Sequence, residues 1–202
     1  MYMKQVLLVV EKTNRGGKMY YSMEIAGLKR DLKMCPLNEN LTIAGFVMFG
    51  DVELTQKCAE ALLKKAPEFD VLVTAESKGI PLVYEMTKQA GMNKYILARK
   101  GIKAYMSNVL SVEVLSITTA HRQTLHIDGD DAEYMKGKRV LIVDDVISTG
   151  ESLHALEELV NRAGGNIVGK MAVLAEGDAM HRDDIIFLEP LPLFDNKGNP
   201  LD

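Results

Sequence analysis

Hydrophobic and polar positions along the second half of the chain form a pattern that predicts an α/β protein. Val140–Val143 are four consecutive aliphatic residues between polar neighbours, which is typical of a strand buried on both faces of a parallel sheet. Similar apolar runs predict further strands at residues 71–74, 94–98, 166–174 and 185–188. Because helical patterns separate several of these runs, we predict a parallel twisted sheet flanked by helices, with right-handed crossovers.

Three segments have the spacing of amphipathic helices. Residues 51–66 place Val52, Cys58 and other apolar residues on one stripe. Residues 80–90 and 153–163 show helical patterns that glycines end. Helices in these places would supply the crossovers that a parallel sheet requires.

The pattern divides the chain into an N-terminal region at residues 1–50, an α/β core at 51–189 and an extended tail at 190–202. Prolines in the tail exclude helix and mid-sheet positions. The N-terminal region is predicted to contain, in chain order, a strand at 3–10, a turn at 13–18, a returning strand at 19–26, an irregular basic segment at 27–40 and a strand at 41–49. The core is predicted to include a two-stranded ribbon at 111–117 and 123–127 and an acidic connector at 128–131.

Composition narrows the setting in which this protein works. Its 202 residues are 47% hydrophobic, as in folded domains, and no apolar run approaches the roughly 20 residues of a membrane span. The N-terminus lacks a signal-peptide pattern, and Cys35 and Cys58 lack metal-like spacing, so we expect reduced thiols and a cytoplasmic location. The net charge of −4 argues against a general nucleic-acid surface. We therefore expect neither a membrane nor a nucleic acid as a partner.

The strongest candidate for chemistry follows the apolar run at Val140–Val143. Asp144 and Asp145 come next, where a parallel strand ends and where ligands bind in open α/β sheets. Two neighbouring carboxylates repel each other, so their presence after a buried strand indicates a function. The segment Ser148-Thr149-Gly150-Glu151-Ser152 then opens a predicted helix. Its backbone N–H groups, hydroxyl donors and helix dipole predict a phosphate-binding loop.

Two further segments carry candidate anion-binding groups. Glu76-Ser77-Lys78-Gly79 also follows a predicted strand and opens a predicted helix. The cations Arg99, Lys100 and Lys103 follow the next strand and are suited to binding pyrophosphate. The alternatives are an ordinary strand–helix turn capped by Ser77 and a basic surface exposed to solvent.

These segments together resemble the type I phosphoribosyltransferases. Residues 140–152 are similar to the family's signature for phosphoribosyl diphosphate (PRPP), which has an apolar strand, an acid pair, a hydroxyl-and-glycine loop and a helix in that order. Ser77-Lys78-Gly79 and the run from Arg99 to Lys103 resemble the pyrophosphate-binding parts of adenine and xanthine phosphoribosyltransferases. The resemblance covers roughly residues 71–174 and implies that family's fold, with a small N-terminal hood and a flexible β-ribbon flap at about residues 103–127.

The resemblance also implies a role for each candidate residue. Asp144 and Asp145 would bind the ribose of PRPP, and Asp145 would lie near N7 of the base or a magnesium-bound water. Tyr105 would belong to the flap, and a strained or cis non-proline peptide would lie within residues 75–79. The 5′-phosphate would contact Ile147, Ser148, Thr149, Gly150, Glu151 and Ser152. Pyrophosphate would contact Glu76, Ser77, Lys78, Gly79, Arg99, Lys100 and Lys103.

The implied activity is transfer of the phosphoribosyl group of PRPP to a free purine base, giving a nucleoside 5′-monophosphate and pyrophosphate. Adenine is favoured as the base, with xanthine or guanine next. Mg2+ would be held mainly by PRPP, with Asp144 or Asp145 as the protein's own candidate ligands, and the protein would be a homodimer. Glu151 departs from the family, because many adenine enzymes have glycine there. The alternatives are an orotate-type phosphoribosyltransferase and a non-catalytic, PRPP-sensing regulator on the same fold.

Overall fold

The structure is a computed structural model, and it describes residues 11–15, 17–115 and 122–201. The predicted strand at 3–10 lies outside the described residues. The strands are β1 (Glu11–Arg15), β2 (Lys18–Ile25), β3 (Leu28–Pro36), β4 (Thr42–Gly45), β5 (Val71–Ala75), β6 (Ile96–Ala98), β7 (Leu110–Leu115), β8 (Arg122–Ile127), β9 (Arg139–Ile147), β10 (Asn166–Glu176), β11 (Ile186–Leu191), β12 (Leu193–Phe194) and β13 (Pro200–Leu201). The helices are α1 (Val52–Leu63), α2 (Ile80–Gln89), α3 (Gly129–Met135), α4 (Glu151–Arg162) and a short 3₁₀ helix (Gly177–His181).

The chain forms two compact units. One consists of residues up to Phe46 together with those from Pro192 onward, and the other is Val47–Leu191. None of the helices within the described ranges has the length and hydropathy needed to cross a membrane.

The larger unit contains a five-stranded sheet in the order β11-β10-β9-β5-β6. Each neighbouring pair in this sheet is parallel, which confirms the predicted fold class. The central strand β9 owes its position to Val140–Val143, which are at most 1% exposed. Burial of each such side chain contributes roughly 1.5–3 kcal/mol, so this run belongs at the centre of the sheet.

The helices of the larger unit pack their apolar stripes against the sheet. In α4 the buried positions are Leu153, Ala155, Leu156, Leu159 and Val160. In α1 they are Leu54, Thr55, Cys58, Ala59 and Leu62. The prediction that Val52 belongs to this stripe is wrong, because Val52 begins the helix and is 67% exposed. Asp51 caps α1, since its side chain accepts a hydrogen bond from Leu54 N.

A separate two-stranded ribbon follows β6, as predicted. Strands β7 and β8 are antiparallel from Leu110 opposite Ile127 to Leu115 opposite Arg122. The predicted ribbon residues 116–121 lie outside the described residues. The acidic segment after β8 was predicted to be a connector, and this is wrong, because Asp128 caps α3 by accepting a hydrogen bond from Asp130 N. Acids in the first helical turn also favour the positive end of the helix dipole.

The smaller unit is a sheet in the order β1-β2-β3-β4-β12-β13. The prediction that residues 27–40 are irregular is wrong, because β3 occupies most of that segment. Ala26 and Gly27 both have positive φ, as a tight hairpin turn requires. In β3, Leu32 and Met34 are buried on either side of the exposed Lys33. The C-terminal tail supplies β12 and β13, where Phe194 is fully buried with its ring 5.0 Å from that of Tyr21.

Replacing Leu156 with alanine tests the packing of α4. Leu156 is fully buried in the core cluster, so Leu156→Ala should lower the free energy of unfolding by about 2–5 kcal/mol through lost burial and a residual cavity. Urea denaturation measures this change. Leu37→Ala is the matched control, since Leu37 is 59% exposed and the same substitution should change stability by less than about 0.5 kcal/mol. Equal losses in the two variants would contradict this packing.

Candidate active site

The acid pair lies at the place where two neighbouring strands separate. Strand β5 pairs with β9 only as far as Val73 opposite Ile142. Strand β9 continues along β10 to Ile147, so Asp144 and Asp145 lie within the strand and not after it. Because β5 ends at Ala75, the edge of β9 beyond Ile142 is open to the loop that follows β5. This geometry brings residues 76–79 to the acid pair.

Asp144 is held by two hydrogen bonds to one carboxylate oxygen. Ser77 Oγ donates to Asp144 Oδ1 at 2.8 Å, and the backbone N–H of Asp145 donates to the same oxygen at 2.9 Å. Burial, followed by the neighbouring charge of Asp145, raises the pKa of Asp144 to about 7. Asp144 therefore holds a proton more readily than an exposed carboxyl does, and Ser77 fixes the orientation of its side chain.

Asp145 is the more deeply buried member of the pair. It is 3% exposed, and Lys78 Nζ lies 3.0 Å from its Oδ2 atom. A buried carboxylate without a cation would be strongly destabilised, so the nearby ammonium of Lys78 stabilises Asp145 in this position. Lys78 itself remains partly exposed, which leaves its ammonium accessible from solvent.

The loop of residues 76–79 approaches β9 so closely that it needs a glycine. A Cβ atom on Gly79 would lie 3.0 Å from Asp144 Oδ1, 3.1 Å from Thr74 Oγ1 and 3.2 Å from Asp145 N. Gly79 N donates to Ser77 Oγ at 3.1 Å, which closes the turn before α2. The lack of a side chain at Gly79 thus allows Ser77 and Lys78 to reach the acid pair.

The prediction of a strained or cis peptide within residues 75–79 is wrong. The described residues contain no cis peptide bond, and no residue of this loop has a positive φ. The turn forms hydrogen bonds at both of its ends with ordinary trans geometry. Glu76 N donates to Ala98 O, and Ser77 Oγ accepts from Gly79 N.

The cations predicted to bind pyrophosphate, Arg99, Lys100 and Lys103, begin directly after β6 and are called the clamp below. Arg99 Nη2 lies 3.2 Å from Glu76 Oε1, and Lys100 N donates to Glu76 Oε2 at 2.9 Å. The backbone of Arg99 also exchanges two hydrogen bonds with His126 of the ribbon. Lys100 is exposed and Lys103 is half-buried. The loops after β5 and β6 are therefore joined through Glu76.

Tyr105 lies on a turn that follows this clamp. Met106 N donates to Lys103 O at 3.0 Å to close the turn, and Tyr105 is 69% exposed. Tyr105 thus lies between the clamp and the start of the ribbon in the chain, and its side chain faces solvent.

The predicted phosphate loop encloses a small cavity at the start of α4. The cavity has a volume of about 60 Å3 and is lined by Asp144, Val146, Ile147, Ser148, Thr149, Gly150, Glu151, Ser152 and Leu153. Gly150 has a φ of 82°, which is a left-handed conformation that favours glycine. Glu151 and Ser152 belong to the first turn of α4, where backbone N–H groups lack helical acceptors. The cavity therefore combines such donors with the positive end of a helix.

Arg182 is a cation at this loop that the sequence patterns did not single out. A Cβ atom on Gly150 would lie 2.8 Å from Arg182 Nη1, so the guanidinium packs against the loop. Arg182 Nε and Nη2 donate to the two carboxylate oxygens of Asp184 at 2.8 and 2.7 Å, and this pair orients the side chain. Its position after a strand that ends at the same edge of the sheet was the available signal.

Glu176 is a further carboxylate at this edge. It ends β10, the neighbour of β9, and the strand pair places Ala175 opposite Ile147. Burial raises the pKa of Glu176, while the charge of Lys78 opposes that shift.

The residues at this site suit a metal that arrives with its ligand better than a resident metal. Within the described ranges no cluster of three or more His, Cys, Asp or Glu side chains has the arrangement to hold an ion. The carboxylates present are hard oxygen donors of the kind that Mg2+ prefers, but Asp144, Asp145 and Glu76 already have protein partners. Mg2+ bound mainly through phosphate oxygens and water fits this donor set.

Three candidate anion-binding segments follow the adjacent parallel strands β9, β5 and β6 of an α/β fold, at the sheet edge where such folds bind ligands. Comparison with known proteins identifies the family. Residues 52–197 match the phosphoribosyl transferase domain, and the chain belongs to that family.

Individual relatives carry two different names. The chain is 37% identical over 126 residues to adenine phosphoribosyltransferase of Petrotoga mobilis, covering 60% of this chain and 65% of that protein. It is 28% identical over 160 residues to hypoxanthine/guanine phosphoribosyltransferase of Methanocaldococcus sp., covering 75% of this chain and 78% of that protein. The chain thus spans just under two thirds of the Petrotoga mobilis protein.

Solved structures share the fold. Adenine phosphoribosyltransferase from Saccharomyces cerevisiae superimposes with a TM-score of 0.62 at 21% identity, covering 78% of this chain and 92% of that chain. The enzyme of the same name from Thermoanaerobacter pseudethanolicus gives a TM-score of 0.60 at 24% identity, covering 69% and 82%. These likenesses confirm the predicted fold of the family.

Replacing Gly79 with alanine tests the close approach of the loop to β9. The new methyl group would meet Asp144, Thr74 and Asp145, so Gly79→Ala should lower the free energy of unfolding by about 1–3 kcal/mol. Gly101→Ala is the matched control, because a Cβ there meets nothing within 4 Å. That variant should be neutral or up to about 1 kcal/mol more stable, since alanine restricts the unfolded chain. Chemical denaturation of both variants measures the difference.

The raised pKa of Asp144 predicts a pH-dependent contribution to stability. A carboxyl whose pKa rises on folding, here from 3.8 to about 7, binds its proton more tightly in the folded state. Its stabilising contribution is complete below pH 4 and is lost as the pH rises to about 7. Asp144→Asn removes this titration, so its stability relative to the wild type should improve between pH 4 and pH 7. A relative stability that is constant across this range in denaturation experiments would contradict the raised pKa.

Proposed function

We propose that this chain is a purine phosphoribosyltransferase that transfers the phosphoribosyl group of PRPP to a free purine base, with adenine favoured. The products are a nucleoside 5′-monophosphate and pyrophosphate. The observation that carries this proposal is the order β9-β5-β6, because each of these adjacent strands leads into one candidate anion-binding segment. PRPP likewise carries a phosphate and a diphosphate on opposite sides of one ribose.

Each segment has a separate task in this proposal. The loop of residues 148–152 binds the 5′-phosphate, with Arg182 packed against it to offset negative charge. Asp144 and Asp145 bind the ribose hydroxyls. Residues 77–79 and the cations from Arg99 to Lys103 bind the pyrophosphate.

The chemistry is displacement at the anomeric carbon of the ribose, with oxocarbenium-like charge in the transition state. No protein nucleophile is required, so the side chains contribute by holding the reacting groups in line and by electrostatic stabilisation. In this proposal the carboxylates of the acid pair favour positive charge on the ribose, and the hydrogen bond from Ser77 supports this role by fixing the orientation of Asp144. Mg2+, when bound with PRPP, supplies neutralisation of charge on the leaving pyrophosphate.

Adenine as the acceptor is supported by the adenine phosphoribosyltransferases among the relatives, which are 33% to 38% identical over the matched segment. Hypoxanthine and guanine are the next candidates, because the relatives of that name match a larger share of the chain. A homodimer, a cytoplasmic location and a ribbon flap that includes Tyr105 remain part of the proposal.

The test is to mix the protein with PRPP, Mg2+ and one free base at a time, and to measure release of pyrophosphate. We expect release with adenine. Release with hypoxanthine or guanine only would keep the class and change the acceptor, and PRPP binding without turnover would favour a sensor.

Replacing both acids tests the proposed ribose site. Asp144→Asn with Asp145→Asn should lower kcat by at least about a hundredfold, because charge stabilisation in the transition state is lost. Circular dichroism must show that the double variant is folded, and Asp130→Asn with Asp131→Asn, in α3, removes the same charge as a control. Near-normal turnover in the folded acid-pair variant would contradict the assignment.

A further inference from the structure

Without a ligand, the groups proposed to bind pyrophosphate already contact the protein's own carboxylates. Lys78 Nζ lies 3.0 Å from Asp145 Oδ2, and Arg99 Nη2 lies 3.2 Å from Glu76 Oε1. These pairs differ in accessibility, because Asp145 is buried whereas the Glu76 side chain is 31% exposed. Glu76 is thus the carboxylate that an incoming anion can reach and displace.

Glu76 uses both of its carboxylate oxygens on the clamp. Oε1 contacts the Arg99 guanidinium, and Oε2 accepts a hydrogen bond of 2.9 Å from Lys100 N. A cation and a backbone N–H are also the two kinds of group that bind phosphate oxygens. Glu76 therefore occupies donors that a pyrophosphate oxygen would otherwise use.

Glu76 is ionised at neutral pH. The hydrogen bond from Lys100 N, supported by the charges of Arg99 and Lys103, lowers its pKa. Pyrophosphate carries several negative charges, so binding it beside an ionised Glu76 brings like charges together. Such repulsion at a partly exposed position is modest in free energy, yet it is large enough to alter affinity.

We propose that Glu76 competes with pyrophosphate for Arg99 and for the backbone N–H of Lys100. By displacing pyrophosphate from these two groups, the Glu76 carboxylate promotes product release. This inference rests on the proposed function, since it assigns a role within the same site. In this role, the Glu76 side chain leaves Arg99 and Lys100 when PRPP binds, and it contacts them again as pyrophosphate leaves. Its carboxylate weakens the binding of pyrophosphate and is not one of its ligands.

Two substitutions separate this role from one of only positioning the clamp. Glu76→Gln removes the charge but keeps an oxygen that accepts from Lys100 N. Glu76→Ala removes both. Glu60→Gln on α1 is the control for the loss of one negative charge, because Glu60 pairs with Lys57 and Lys64 on an exposed helix face.

The experiment is titration of pyrophosphate into the 202-residue chain by isothermal calorimetry at constant ionic strength, with and without Mg2+. Glu76→Gln should bind pyrophosphate about three- to tenfold more tightly than the wild type, and the dissociation rate should fall by a similar factor. Glu60→Gln should bind as the wild type does. Glu76→Ala should also bind more tightly, but by less than Glu76→Gln, because the clamp loses one of its anchors.

Unchanged or weaker binding by folded Glu76→Gln would overturn the inference, and Glu76→Ala decides the question if Glu76→Gln does not fold. A weakening seen only with Mg2+ would instead make Glu76 a metal contact, which also overturns it. These outcomes are distinct from failure of the proposed function. That failure would appear in the wild type, as an absence of pyrophosphate binding and of PRPP turnover.

Discussion

The arrangement of this site depends on placing two adjacent carboxylates on one buried strand. Burial and the neighbouring charge of Asp145 both disfavour the charged form of Asp144. Four aliphatic residues fix the strand that carries them, so the acids cannot move apart without disrupting the centre of the sheet. A neighbouring loop therefore stabilises the two acids. The Ser77 hydroxyl donates a hydrogen bond to Asp144, and the Lys78 ammonium lies beside Asp145.

This requirement explains several local features of the sequence. Strand β5 has to end early to leave room beside the acids, and Gly79 has to lack a side chain so that the loop can approach. The same loop then reaches in the other direction, where Glu76 contacts the segment after β6. One short loop, which follows β5, thus links the acid pair on β9 to the clamp after β6. Strand β5 lies between β9 and β6 in the sheet, as these contacts require.

Much of the core could be predicted from the sequence because its strands are continuous apolar runs. The pattern failed where polar residues concealed regular structure. In β3 the lysines mask the alternation that places Leu32 and Met34 inward, and in α3 an acidic turn proved to be a helix cap. Arg182 was missed for another reason, since its contact with Gly150 joins segments that are distant in sequence. The prediction of a cis peptide in the loop of residues 76–79 came from the family resemblance alone. The hydrogen bonds of this loop form without a cis peptide.

A site for a highly charged anion must hold several cations when that anion is absent. Unpaired cations would repel one another, so carboxylates nearby stabilise the ligand-free state. Each such carboxylate also weakens the anion's binding, and the size of that effect depends on how easily it can be displaced. Asp145, which pairs with Lys78, is buried, whereas Glu76, which pairs with Arg99, is accessible. In the role proposed for Glu76, this difference in burial separates a structural ion pair from one that a ligand displaces.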